Sequence, residues 1–257
     1  SVFEIEIVHE SSVPYSIELQ WRIPVVYGAF IFPNHKNLNF RVDEMGYLGY
    51  AYKGENVWIV RDLPAFKNEP YITSDRDYRV RMEIELVNYL FTGTEFNWIA
   101  SGYFASSWEA VAKQYRESEY LGYKVNELSL HLNGIADSIR SKSKNEEELA
   151  KNAFEEIKKI HWNNFEYCFV SQDLKKTFKQ KEGNVADINI NLINLLKKLG
   201  LKSYPVLLSS RDNGKISRYL PSLHKFNYLI AAVVLPSGVK YLDATDEYLP
   251  FGLLPDR

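Results

Sequence analysis

Near Ser106 the apolar residues of this 257-residue chain change their spacing once, from every second position to every third or fourth. Side chains alternate faces along a strand and return to one face every 3.6 residues on a helix. The change therefore divides the chain into a β-built part and a part that contains helices. In Tyr15-Ser16-Ile17-Glu18-Leu19-Gln20-Trp21-Arg22-Ile23, apolar and polar residues alternate without a break. Phe3, Ile5 and Ile7 against Glu4 and Glu6 repeat the pattern, as do Val80, Met82, Ile84 and Leu86 against Arg81, Glu83 and Glu85. Each run predicts a strand with one buried and one wet face. Turn signals at Phe32-Pro33-Asn34 and Lys53-Gly54-Glu55-Asn56 separate short strands, and together they predict an antiparallel β-sandwich.

Beyond Ser106 the helical period takes over. Ser106 and Glu109 have the spacing of a capping box, with Trp108, Val111, Ala112 and Tyr115 on one face behind it. A second helix is expected from Leu128 to Ile139. A third starts at Ser143-x-x-Glu146 and presents Leu149, Ala150, Ala153, Phe154, Ile157 and Ile160 as its apolar stripe. The junction falls at residues 100–106, giving domains 1–105 and 106–257. Further on, a strand over Phe165 to Val170 and a polar connection lead to a helix from Val185 to Leu199, which buries Ile188, Leu192, Leu195, Leu196 and Leu199 and stops at Gly200. Strands at Ser203–Ser210, Phe226–Leu235 and Val239–Leu242 follow. The turns Asp212-Asn213-Gly214 and Pro236-Ser237-Gly238 between them make a meander. Helices followed by an antiparallel sheet place the chain in the α+β class.

A composition of 46% hydrophobic and 25% charged residues is that of a globular chain with ample core. With 31 basic and 33 acidic side chains there is no basic field to neutralise phosphates, so nucleic acid is excluded as a partner. One cysteine, Cys168, precludes an intrachain disulfide. No apolar run reaches the roughly 18 residues that span a bilayer. Metal-ligand spacing, a glycine-rich phosphate loop and a Gly-x-Ser-x-Gly elbow are all missing from the sequence, so neither cofactor nor metal is implied.

Three separated segments carry a resemblance. Gly183-Asn184-Val185-Ala186-Asp187, then Phe226-Asn227-Tyr228, then Leu242-Asp243-Ala244-Thr245 occur in order, with Leu199-Gly200-Leu201-Lys202-Ser203-Tyr204-Pro205-Val206 between the first two. Over about residues 145 to 250 the chain resembles the bacterial transglutaminase-like superfamily, whose papain-like core holds a cysteine at a helix start, a histidine on a strand and an aspartate on the next strand. A helix N-terminus suits a thiolate because the positive end of the macrodipole lowers its pKa. Here the matching positions are Val185, Tyr228 and Asp243. Valine has no nucleophilic atom, and a phenol titrating near pH 10 cannot act as the imidazole does. The resemblance thus implies a core without its chemistry.

Val57-Trp58, Asp62-Leu63-Pro64-Ala65 and Glu69-Pro70 resemble an exported β-domain of unknown function that often precedes this core. Families with this pairing are mostly bacterial and exported, and Bacteroidetes members frequently lack the cysteine. The chain starts without Met and stops at Leu254-Pro255-Asp256-Arg257, where the family usually continues. The expectation is a fragment of a larger exported protein, periplasmic or at the cell surface, whose signal peptide lies outside it.

Other chemistry-bearing residues have plainer readings. Cys168 sits among Tyr167, Phe169 and Val170, as a small buried hydrophobe does. His161 and His224 are read as loop or cap residues, though either could in principle partner the thiol. Asp243, Asp246 and Glu247 are close in sequence without the spacing of a calcium loop. Asp187, on the first turn of its helix, is read as a capping group. The resulting expectation is a catalytically inactive module that binds a peptide, glycan or protein ligand or serves as a scaffold. The alternative is a cysteine peptidase or amidase using Cys168 or another constellation.

Overall fold

The computed structural model describes Ile7 and residues 16–32, 37–93, 98–103 and 106–256. The alternation through Phe3–Glu6, Tyr15, the Pro33-Asn34 turn and positions 104 and 105 of the expected junction lie outside the described residues. The chain is mixed α/β with antiparallel sheets. It forms two compact units, Ser1–Val111 with Gly214–His224, and Ala112–Asn213 with Lys225–Arg257.

In the first unit, β1 (Ser16–Glu18) and β3 (Leu38–Met45) flank β6 (Arg81–Gly93). A second antiparallel sheet places β5 (Val57–Leu63) between β2 (Val25–Ile31) and β4 (Tyr52–Lys53). β7 (Trp98–Tyr103) pairs with the far end of β6. Met82 and Ile84 from the first sheet share one buried cluster with Phe30, Trp58, Val60 and Leu63 from the second. Each such side chain, fully buried, contributes about 1.5–3 kcal/mol. Trp58 places its indole in that cluster and still donates its N–H to Glu44 Oε1 at 3.1 Å.

The alternation through Ile23 yields only the short β1. Beyond it, Leu19 and Gln20 both donate their amides to the Val80 carbonyl, at 2.9 Å each. The buried Gln20 side chain accepts from Val80 N–H (3.2 Å) and donates to Pro64 (3.0 Å), so an isolated polar side chain replaces the ladder. The face of β6 expected to be wet is also partly closed. Arg81 and Glu85 are buried, and Arg81 forks onto Glu83 Oε1 through Nε and Nη2 at 3.2 and 2.8 Å.

Glu18 lies directly opposite Arg81 in the β1–β6 register. Burial raises its pKa, against the lowering pull of Arg81, Arg76 and Arg79. A carboxyl raised in the folded state takes up protons on folding, so stability falls as pH climbs from the ordinary value of 4.5 towards the raised one. Glu18→Gln is therefore expected to raise the melting temperature at pH 7 and leave it unchanged at pH 4. A lower melting temperature at pH 7 would mean that attraction to the arginines outweighs burial.

The second unit is built around one helix. α1 (Trp108–Glu117) runs through the division at Val111/Ala112, and its cap is Ser107 rather than Ser106, with Ser107 Oγ accepting from Ala110 N–H at 3.1 Å. α2 (Gly122–Val125) and α3 (Asn133–Lys142) precede α4 (Glu146–Ile157). Asn145 caps α4 by accepting from Glu148 N–H (2.9 Å), while Ser143 Oγ turns back to Ile139. Ala150, Ala153, Phe154 and Ile157 face inward as the stripe requires.

Phe165–Val170 is not a strand. Its backbone groups bond three separate places: Phe165 O receives Val185 N–H, Phe169 O receives the Asn184 side chain, and Val170 N–H goes to Tyr120 O. No ladder can form from such dispersed partners. The polar connection after it contains α5 (Leu174–Gln180), capped by Asp173, and ends in β9 (Glu182–Gly183), which pairs in parallel with β8 (His161–Trp162) from before Phe165.

α6 (Val185–Lys198) begins in a capping box of Asn184 and Asp187 and carries Lys197 and Lys198 in its last turn. Gly200, at φ +88°, then takes the left-handed conformation that ends it. Its positions 185–196 are all buried, so the amphipathic stripe understates its surroundings. β11 (Tyr228–Leu235) runs antiparallel between β10 (Ser203–Leu208) and β12 (Gly238–Leu242) and packs on α6.

Candidate functional site

The N-terminus of α6 meets the start of β11. Val185 is completely buried and packs with Tyr228 and Ile230, with Trp162, Val206 and Leu208 against them. The Tyr228 hydroxyl donates to Asp243 Oδ2 at 2.7 Å and lies 3.0 Å from Thr245 Oγ1. The structure thus brings Val185, Tyr228 and Asp243, from the three separated segments, into one neighbourhood. Only the phenol and the carboxylate bond each other.

Asn189, one turn into α6, joins that network. Its amide donates to Asp243 Oδ1 (3.0 Å) and to the Leu229 carbonyl (2.9 Å), and its oxygen accepts Ala244 N–H (2.9 Å). Thr245 N–H gives Asp243 Oδ1 a second donor at 3.1 Å. Asp243 is fully buried, so these bonds are what make its charge tolerable. Every oxygen of the carboxylate is committed to structure.

Asp187 has the same character on the other side of the helix start. It accepts from Ser171 N–H (2.9 Å), Ser171 Oγ (2.6 Å) and Asn184 N–H (3.0 Å), while its own N–H donates to Asn184 Oδ1 (2.8 Å). Gly183 is required beside it, because a Cβ there would stand 2.8 Å from both Asp187 Cβ and Thr177 Cγ2. Further along α6, Asn191 Oδ1 accepts from His131 Nε2 at 2.9 Å while its amide donates to Leu174 O, and Asn194 donates to Lys124 O and Ser129 Oγ. Three asparagines thereby pin one helix to several neighbouring segments. Neither Asn189 nor Ser171 has a sequence signal, because an asparagine within a helix reads as a solvent-facing polar residue.

Cys168 is buried and donates to the Phe226 carbonyl at 3.2 Å, with Tyr115 as its side-chain partner. Burial pushes its thiol up to about 12. At pH 7 the thiolate fraction is then about 10⁻⁵, on the order of a thousandfold below a free cysteine. Alkylation of the native chain with iodoacetamide is expected to be much slower than that of the unfolded chain. Rapid stoichiometric labelling at neutral pH would contradict the burial. His161 pairs with Glu182 in the β8–β9 register, and His224 lies in the other unit. Asp246 accepts Tyr248 N–H at 2.9 Å in a turn. Among the described residues no group of three or more His, Cys, Asp and Glu side chains is placed to hold a metal ion, and no helix is long and apolar enough to cross a membrane.

This architecture has counterparts among solved structures. The chain matches a candidate protease from Parabacteroides distasonis at 17% identity and TM-score 0.51, over 90% of this chain and 43% of that one. At that identity the likeness concerns the fold alone, and this chain spans less than half of that protein's length. The periplasmic domain of TgpA from Pseudomonas aeruginosa aligns at 9% identity over 92% of this chain and 94% of its own, with a TM-score of 0.35 too low to bear weight. No protein-family model matches the sequence, and no curated protein does.

Proposed function

We propose that residues 106–257 form a transglutaminase-like, papain-like domain that has lost its chemistry, preceded over 1–105 by a β-sandwich, within a larger exported bacterial protein of Bacteroidetes type. Its role is peptide, glycan or protein binding or that of a scaffold, not of a catalyst. The carrying observation is closure: Val185 is fully buried, Tyr228 is 4% exposed, and the phenol is bonded to a fully buried Asp243. A helix start that offers a methyl group and a phenol inside packed side chains has no nucleophile to activate and no base to activate it. The fold shared with a candidate protease supports the architecture of this reading. A cysteine peptidase or amidase built on Cys168 is disfavoured by that thiol's burial and raised pKa.

Tyr228→Phe separates a structural phenol from one that lines an open cleft. In a packed interior, removing the hydroxyl deprives a buried carboxylate of a donor and costs about 2 kcal/mol. In a wet cleft, water replaces the lost bond and the change is nearly neutral. Calorimetry of the full chain is expected to give the first result, and a neutral substitution would undo the proposal of a closed site.

A further inference from the structure

Within the first unit, four side chains take hold of the main chain of a single later segment, Gly214–His224. Asp77 Oδ1 accepts the Lys215 amide (2.8 Å), and Trp108 Nε1 donates to the Arg218 carbonyl (2.8 Å). Arg41 Nη2 donates to the Pro221 carbonyl (2.7 Å), and Glu85 Oε1 accepts the Leu223 amide (2.7 Å). Glu85 Oε2 also accepts the Ser222 hydroxyl at 2.8 Å. Arg41 and Glu85 are direct cross-strand partners on β3 and β6, so a donor fork and an acceptor carboxylate stand side by side on one sheet face. Arg41 is aimed by Asp43, which accepts its Nε at 2.7 and 3.0 Å.

The segment has neither helix nor strand, so its amides and carbonyls have no ladder to satisfy them. All four grips go to backbone atoms, and three of them involve an ionised side chain, the stronger kind of hydrogen bond. Glu85 is 5% exposed. A carboxylate so buried, on a strand face that alternation marks as polar, is tolerated only because its donors come from this segment. Such a set reads a main chain without ladder partners, with one hydroxyl preference at Ser222.

We infer that Arg41, Asp77, Glu85 and Trp108 form a peptide-recognition surface and that the chain's own Gly214–His224 is its bound ligand. Affinity then resides in the surface and does not depend on tethering at both ends of the segment. The test uses the full chain with residues 214–224 replaced by a flexible Gly/Ser linker of equal length, and a fluorescein-labelled synthetic peptide spanning Gly214–His224. The linker chain is expected to bind the peptide saturably, the unaltered chain to exclude it, and Glu85→Gln in the linker chain to weaken binding about tenfold. A folded linker chain that does not bind, or binding indifferent to Glu85→Gln, overturns the inference. Should the linker chain not fold, trypsin decides on the otherwise unaltered chain. Glu85→Gln is expected to speed cleavage after Lys215 and Arg218 about tenfold without new cuts elsewhere, and unchanged rates, or equal acceleration at every site, would overturn it.

Discussion

Asp187→Ala is expected to cost the second unit about 4 kcal/mol, because three donors lose one acceptor inside a fully buried site. Ser171 N–H, Ser171 Oγ and Asn184 N–H all bond that carboxylate, and each orphaned buried donor costs about 1–3 kcal/mol. The substitution also breaks the reciprocal half of the capping box at the start of α6. The helix it anchors is the core of the unit, packed on β10 and β11 and on α4 and α5. Against a total stability of about 5–15 kcal/mol, a loss of that size leaves the unit marginal. Asp187→Asn keeps the shape and one acceptor, and should fall about midway. Urea unfolding followed by far-ultraviolet circular dichroism measures both. A cost below about 1 kcal/mol for Asp187→Ala would mean that water replaces the carboxylate and that the helix start is open.

What could be read from the sequence was local. The helix expected from Val185 to Leu199, with Asp187 as a capping group and Gly200 as its stop, matches α6 within one residue of its observed ends, since caps and stops are short-range chemistry. The meander after it follows from turn residues and apolar runs in the same way. Where several polar groups compete at adjacent positions the sequence was ambiguous: Ser107 and Asn145 are the caps, one and two residues beyond the serines that matched the pattern. Long-range polar contacts were not legible. Asn189 meets Asp243 across 54 positions and Glu85 meets Leu223 across 138, and hydrophobic period carries no information about such partners. The same blindness explains Arg81 and Glu85, whose alternation marks them as solvent-facing although other parts of the unit cover them. Phe165–Val170 has strand composition, yet its backbone is taken by α6, its cap residue and Tyr120 in turn.

Packing and hydrogen bonding at the candidate site point the same way. The carboxylates there are engaged in structure: Asp243 by Tyr228, Asn189 and Thr245, and Asp187 by Ser171 and Asn184. The one thiol lies at Cys168 with its proton firmly held.

Ammonia release measures this most directly. A glutamine-bearing peptide, with and without a primary amine as acceptor, is incubated with stoichiometric protein at pH 7 and 25 °C for a day, beside a Cys168→Ala chain. In serine hydrolases, removal of the nucleophile alone lowers turnover by about a millionfold, and here neither a nucleophile nor an imidazole stands at the helix start. The expected result is ammonia at the buffer rate, no incorporated amine and no hydrolysed peptide, the same for both chains. Turnover by the unaltered chain that Cys168→Ala abolishes would contradict the account.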